Sequence, residues 1–173
     1  LLLGLVLGLS RFAGDVADPI LGTIYSIPKI TLYPIILLIF GLSLAAKIAF
    51  GVIHGIFPVA IVTMNAVRNI APVHRRTAKA LRLSPLATVV SVLAPAALPE
   101  ILSGVRIGVA VTLLGILIAE LFASSSGIGF ALIRATDLHE VVDIFALTLL
   151  LFLFAVAVNA LLRAAERRLR PHF

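Results

Sequence analysis

The stretch 141–162 constrains this chain more than any other. It carries one ionisable side chain, Asp143 near its start, and it closes on Arg163, Arg167, Arg168 and Arg170. About 20 consecutive apolar residues let a helix cross the hydrocarbon of a bilayer, where the backbone must satisfy its own hydrogen bonds. The stretch therefore reads as a membrane helix stopped by a basic, water-facing end. Residues 45–64 form a comparable span. Residues 98–122 form another, started by Pro99 and Glu100, because a fixed φ and a negative charge both suit a helix N-terminus.

A further span, about 20–42, contains Pro28 and Pro34. Each proline removes a backbone donor, so this segment is expected to be bent or broken, which membrane depth tolerates where the segment packs on protein or lines a cavity. Residues 1–9 are apolar and punctuated by glycine, and they read as the end of a membrane helix that begins before Leu1. Lacking Met and a basic start, they do not read as a signal peptide. Ser10-Arg11, Asp15 and Asp18-Pro19 mark a membrane exit and a turn.

Composition supports this reading. The 173 residues are 61% hydrophobic and 13% charged, against about 45–50% and about 25% in a soluble domain. The net charge of +6 does not point to nucleic acid, because the cations cluster at the ends of apolar segments and form no aromatic-studded face. With no cysteine there is no disulfide framework and no thiolate metal site. The scatter of His54, His74, His139 and His172 argues against zinc, so no metal is expected.

Charge also orients the chain. The cations Arg68, Arg75, Arg76, Lys79 and Arg82 are separated from those of the tail by two crossings, so both groups lie on one face, and Arg11 falls there too. Only Lys29, Lys47, Arg106 and Arg134 lie elsewhere. The positive-inside rule makes the basic face, and the C-terminus, cytoplasmic.

The basic segment between the spans has its own pattern. Arg75, Arg76, Lys79 and Arg82 recur at i, i+1, i+4 and i+7, along one side of a short helix whose other side carries Val73, Ala80 and Leu81. Ser84-Pro85 reads as an N-cap followed by proline at the first helical position. Two short helices joined by a tight turn are expected. On these residues alone the segment is either a solvated topology signal that meets anionic headgroups or a docking surface for a soluble partner.

Permeases of binding-protein-dependent ABC importers carry the pattern Glu-Ala-Ala, three residues, Gly, nine residues, then hydrophobic-x-hydrophobic-Pro. Arg76-Thr77-Ala78, Arg82 and Val92-Leu93-Ala94-Pro95 fall in that register, with the Glu, one Ala and the Gly replaced. The segment resembles the coupling loop of that family. Asp18-Pro19, Pro28, Pro34, Phe40-Gly41, Ala96-Ala97-Leu98-Pro99, Ser103-Gly104-Val105-Arg106-Ile107-Gly108, Ala119-Glu120, Gly127-Ile128-Gly129 and Ala165-Glu166-Arg167 are similar to its nitrate, sulfonate and taurine branch.

The resemblance implies an all-α, polytopic transmembrane helical bundle of the type I ABC importer permease kind. Residues 1–173 would form one permease domain, with a coupling loop at about 68–97 and at least one further N-terminal helix outside these residues. It implies a non-catalytic subunit of an importer in the bacterial plasma (inner) membrane. That subunit would take no cofactor of its own, since ATP is bound by the partner ATPase. The implied partners are two copies of the ATPase subunit, a second permease copy in a homodimer, an extracytoplasmic solute-binding protein and the lipid bilayer. Arg75, Arg76, Thr77, Ala78, Lys79, Arg82, Ser84, Pro85 and Pro95 are the residues implied to couple to the ATPase. Arginine at position 82, where the pattern has glycine, must reach the turn at a steric cost or form a different turn.

Pro28, Lys29, Pro34, Arg106 and Glu120 are the candidate path residues. An ionisable group within a span is costly unless it meets water, a partner or the bundle interior. Glu120 is thus either a pathway residue or a helix-end cap. Arg106 either lines the vestibule or snorkels to the surface. Lys29, beside a broken helix, either attracts an anionic solute or snorkels outward. Gly104 and Gly108 form Gly-x-x-x-Gly, which lets a second helix approach closely. His54 reads as a hydrogen-bonded interhelical residue. Gly127-Ile128-Gly129 lacks the third glycine of a phosphate cradle and reads as an outer turn before a short amphipathic helix ending near Asp143. The competing class, a stand-alone channel or ion-coupled carrier, calls for facing titratable groups along the spans, for which His54, Arg106 and Glu120 are the candidates.

Overall fold

The computed structural model describes residues 1–169, and the side chains of all of these but Arg75 and Leu169. Every regular element among them is helical. In chain order they are α1 (Leu2–Leu9), α2 (Arg11–Ser26), a 3-10 turn (Lys29–Leu32), α3 (Tyr33–Phe40), α4 (Leu44–Arg68), α5 (Pro72–Ala80), α6 (Pro85–Thr88), a π-helical turn (Val89–Leu93), α7 (Ala94–Phe122), α8 (Ile128–Asp137) and α9 (Val141–Leu169). Among the described residues, α4, the run Pro85–Phe122 and α9 are each long and apolar enough to cross a membrane. The pair made by α2 with the 3-10 turn and α3 adds a fourth span if it is counted as one broken helix. This is the all-α, multi-span fold expected.

The prolines of the segment 20–42 act as expected. Pro28 is extended (φ −61°, ψ 99°) and separates α2 from the 3-10 turn, whereas Pro34 sits in the first turn of α3, where its missing N–H is no loss.

Three boundaries differ from expectation. Asp18-Pro19 does not turn the chain, and Pro19 lies inside α2. The carbonyl that Pro19 frees is on Asp15, and both residues are exposed, so no unpaired group is trapped within the protein. Of the residues expected to mark the turn it is Ser10 that makes it, being extended (φ −108°, ψ 121°) with its Oγ accepting from the Ala13 N–H at 3.3 Å. The helix expected from residue 98 begins earlier, with helical structure unbroken from Pro85 and Pro99 inside α7. The ring of Pro95 opposes the carbonyl of Ser91, and there the chain widens into the π-helical turn, whose Val89 carbonyl accepts from Ala94 N–H five residues on.

Lastly, α8 stops at Asp137 and not near Asp143, because His139 adopts a left-handed conformation (φ 58°) that closes it. The His139 N–H donates to the Thr136 carbonyl at 3.1 Å and the Glu140 N–H to that of Ala135 at 2.9 Å. Asp143 belongs to the first turn of α9, where its charge suits the helix dipole. Helix α9 runs on past residue 162 through Arg163, Arg167 and Arg168, while Arg170 and His172 lie outside the described residues.

The chain divides into two compact units, and α4, α7 and α9 each contribute a part to both. One unit holds Leu1–Ser26, Phe57–Ile107 and the stretch from Ala164. There α1 lies directly on α4. A Cβ added at Gly4 would fall 2.5 Å from the Ala60 carbonyl oxygen, and one at Gly8 would fall 2.8 Å from that of Met64. This Gly-x-x-x-Gly pair on α1 is a close-approach face that the sequence reading passed over. Ala66, Val67, Ile70 and Ala97 form the unit's apolar centre. Gly104 does what the motif containing it suggested, seating Val62 of α4, whose Cγ1 would lie 2.8 Å from an added Cβ.

The other unit holds Ile27–Ile56 and Gly108–Arg163, centred on Tyr33, Ile36, Ala46, Phe50 and Ala119. The rings of Tyr33 and Phe50 are 4.7 Å apart, and those of Phe50 and His54 are 4.4 Å apart and edge-on. His54 Nδ1 bonds the Phe50 carbonyl one turn back at 2.9 Å, so its hydrogen bond is within α4, while its ring lies over Gly115 of α7.

Candidate coupling loop and charge-paired helix contacts

The loop is built by two local devices. Helix α5 starts at Pro72, and it ends in a left-handed residue, as α8 does. The Arg82 N–H donates to the Lys79 carbonyl at 3.0 Å and the Leu83 N–H to that of Ala78 at 3.1 Å, a paired closure that places residue 82 at φ 51°. Glycine is the usual occupant of that conformation because a Cβ there meets the following carbonyl, at a cost of roughly 1–2 kcal/mol. Arg82 therefore holds a left-handed turn of the kind glycine makes freely, and bears its strain. It does not continue the stripe of Arg76 and Lys79 as the i+7 spacing suggested, because the helix has ended before it.

The second device is the cap of α6. Ser84 Oγ accepts from the Ala87 N–H at 3.2 Å and Pro85 occupies the first turn, as the sequence indicated. The two short helices and the turn at 81–84 are thus present, and Pro95 lies just beyond the π-helical turn. Arg76, Thr77, Lys79 and Arg82 are exposed, whereas Ala78 is 2% exposed. Arg75 lies on α5, with its side chain outside the described residues.

Of the path candidates, Glu120 is the most fully explained. Its Oε1 accepts from Lys47 Nζ of α4 at 3.3 Å, and its Oε2 accepts from the Gly129 N–H, in the first turn of α8, at 3.0 Å. The carboxylate thus caps α8 from another helix, at the positive end of its dipole, with a lysine as counter-ion. Lys47 also donates to the Ser126 carbonyl at 2.5 Å. Gly127 (φ 114°) and Gly129 make room for this arrangement. A Cβ at Gly127 would overlap the Glu120 carboxylate, and one at Gly129 would lie 2.7 Å from Glu120 Cβ. The Gly-Ile-Gly motif is therefore a seat for a carboxylate of the same chain. Nearby, Tyr33 Oη lies within hydrogen-bonding distance of the carbonyls of Ala119 (3.1 Å) and Ala123 (3.0 Å), serving carbonyls at the end of α7.

In the first unit, Arg106 of α7 pairs with Glu166 of α9 at 3.4 Å, and Ser103 Oγ lies 3.4 Å from the same carboxylate. Arg68, at the end of α4, pairs with Asp15 of α2. Lys29 is 9% exposed, and Pro28 and Pro34 flank it at the break. Among the described residues no cluster of three or more metal-ligating side chains is present.

Lys47, Glu166 and the Arg68–Asp15 pair carry contacts that had no counterpart among the sequence-based expectations. One signal was available: a lone base near the start of one span and a lone acid near the end of the next lie at the same depth when consecutive crossings run antiparallel, and each is costly without the other.

Several apolar helices of spanning length, joined by a basic helical hairpin and tied by ion pairs between helices, define a multi-pass membrane protein. The chain belongs to the family described as binding-protein-dependent transport system inner membrane component, whose model matches residues 1–171. It is 30% identical over 169 residues to SsuC of Bacillus subtilis (strain 168), named as a candidate aliphatic sulfonates transport permease, covering 98% of this chain and 61% of that protein. It is 31% identical over 168 residues to the taurine transport system permease protein TauC of Escherichia coli (strain K12), covering 97% and 61%. With the nitrate import permease protein NrtB of Leptolyngbya laminosa the identity is 30% over 169 residues, covering 98% and 61%. The chain thus spans about three fifths of the length of these relatives.

Proposed function

We propose that this chain is the membrane-spanning subunit of an ATP-driven importer for a small anionic solute, such as nitrate, taurine or another sulfonate, and that the loop at 68–97 couples it to a separate ATPase. The observation that carries the reading is α5. It is exposed almost all round, held by Ala78 and the Arg82 turn, and in register with the family's coupling pattern. A helix presented in this way is a lever for a soluble partner. The subunit performs no bond chemistry, and ATP is hydrolysed by the partner.

Arg75, Arg76, Thr77, Lys79 and Arg82 form the contact surface in this reading, while Ala78, Ser84, Pro85 and Pro95 set its shape. The basic face and the C-terminus are cytoplasmic. Two permease copies line one path, two ATPase copies dock beneath them, and a solute-binding protein delivers the solute from outside. Lys29, at the break framed by Pro28 and Pro34, supplies positive charge to the path. Arg106 and Glu120, each held in an ion pair, fix the helices beside it. Closure of the ATPase pair around ATP moves the loops and switches access between the two sides.

The test is purification of the full-length permease in detergent from its own cell. A stoichiometric complex with a nucleotide-binding ATPase is expected. A permease that purifies alone and transports without ATP would replace this reading with that of a carrier.

A further inference from the structure

We infer that the partner's docking cleft is acidic along one wall and apolar along the other, and that Arg76 decides which ATPase the loop accepts. This rests on the coupling role proposed above. No acidic residue occurs between Pro19 and Pro99, so the loop contains no carboxylate of its own. Arg68 is engaged with Asp15, whereas Arg76, Lys79 and Arg82 are exposed and stand in no ion pair among the described residues.

The geometry of α5 shapes this charge. Arg76 and Lys79 are three residues apart and share one side of the helix. Val73, Thr77, Ala80 and Leu81 fall on the adjoining side, and Val73 (59%) and Leu81 (64%) are well exposed. A basic stripe and an apolar stripe therefore lie next to each other on a nine-residue helix of which only Ala78 is buried among the described side chains. A flat headgroup surface meets one side of a helix and favours a large apolar face, which a single Val and a single Leu do not make. A cleft meets both stripes at once.

Sign makes the contact selective. Arg76 stands where the family pattern has Glu, and Arg82 stands where it has Gly, so both departures make the loop more basic. An ATPase fitted to a glutamate at the first position would present the wrong charge to Arg76, and like charges facing each other across an interface oppose binding strongly. The cognate ATPase must present a carboxylate there, opposite Arg76 and Lys79, with apolar side chains opposite Val73 and Leu81.

The test uses the full-length permease in a neutral detergent and the ATPase that co-purifies with it. Arg76→Glu is expected to weaken binding by at least about tenfold, Arg76→Ala by less, and raised salt is expected to weaken the wild-type complex. Replacing the facing acid of the ATPase with lysine should restore binding of the Arg76→Glu permease. Since Arg76 is exposed, the variant should keep the wild-type melting temperature, which separates docking from folding. A wild-type permease that binds no ATPase would remove the coupling role itself. Binding that ignores both Arg76→Glu and salt would overturn the acidic cleft and leave the coupling role standing. Sensitivity that appears only in anionic-lipid nanodiscs, and not in neutral detergent, would assign the cations to the membrane surface and also overturn the inference.

Discussion

Lys47 Nζ lies 3.3 Å from Glu120 Oε1, and the same carboxylate holds the Gly129 N–H of α8 through its other oxygen. The two side chains are 10% and 15% exposed, so most of their hydration has been exchanged for each other and for backbone groups. Removing one partner leaves the other charge stranded, which costs more than the pair's net contribution.

Glu120→Ala is predicted to destabilise the protein by about 3–5 kcal/mol, since it strands Lys47 and uncaps α8. Lys47→Ala should do the same in part, and the double variant should lose clearly less than the sum of the two. Thermal unfolding of the three variants in detergent measures this coupling. Additive losses would mean that the two residues act separately.

Gly127→Ala and Gly22→Ala should differ in sign. At Gly127 the added methyl meets the Glu120 carboxylate and the backbone has φ 114°, so the variant should melt lower. At Gly22, inside α2, nothing lies within 4 Å of an added Cβ, and alanine should stabilise the helix by about 0.5–1 kcal/mol. Equal effects in melting experiments would remove the seat assigned to Gly127.

Arg82→Gly relieves the left-handed residue and should slow hydrogen exchange at the last turn of α5, by about 1 kcal/mol of local stability. Arg82→Ala removes the same charge and keeps the strain, so it should leave that exchange unchanged. Identical protection in the two variants would show that φ at position 82 is not what limits the turn.

Tyr33→Phe deletes the hydroxyl that reaches the Ala119 and Ala123 carbonyls while keeping the ring against Phe50. A loss of about 1 kcal/mol is expected, measured by unfolding in detergent. No loss would mean that those carbonyls are served equally well without it.

The spans at 45–64 and 141–162, the break at Pro28 and the cap at Ser84 were legible because each follows from a local rule of hydropathy, proline geometry or hydrogen bonding. The pairings were not. Glu120 was open between pathway and cap because its partners are 73 residues earlier and nine residues later in the chain, and only helix packing brings Lys47 and Gly129 to it. Pro19 and Pro99 misled the placement of boundaries because a long helix accommodates a proline in its interior, as α2 does by leaving a carbonyl exposed, and that accommodation has no sequence mark. Arg82 was read partly well. The spacing of the family pattern located the turn, and helical periodicity then put the arginine on a stripe that the turn itself ends.

Solute uptake by proteoliposomes that contain the full-length permease, its ATPase and its solute-binding protein tests the importer function most directly. Uptake of the bound anion that requires ATP, and is lost when Arg76 and Lys79 are both changed to glutamate in a permease that still folds, is the predicted result. Uptake that proceeds without ATP, or at the same rate with the ATPase left out, would contradict it.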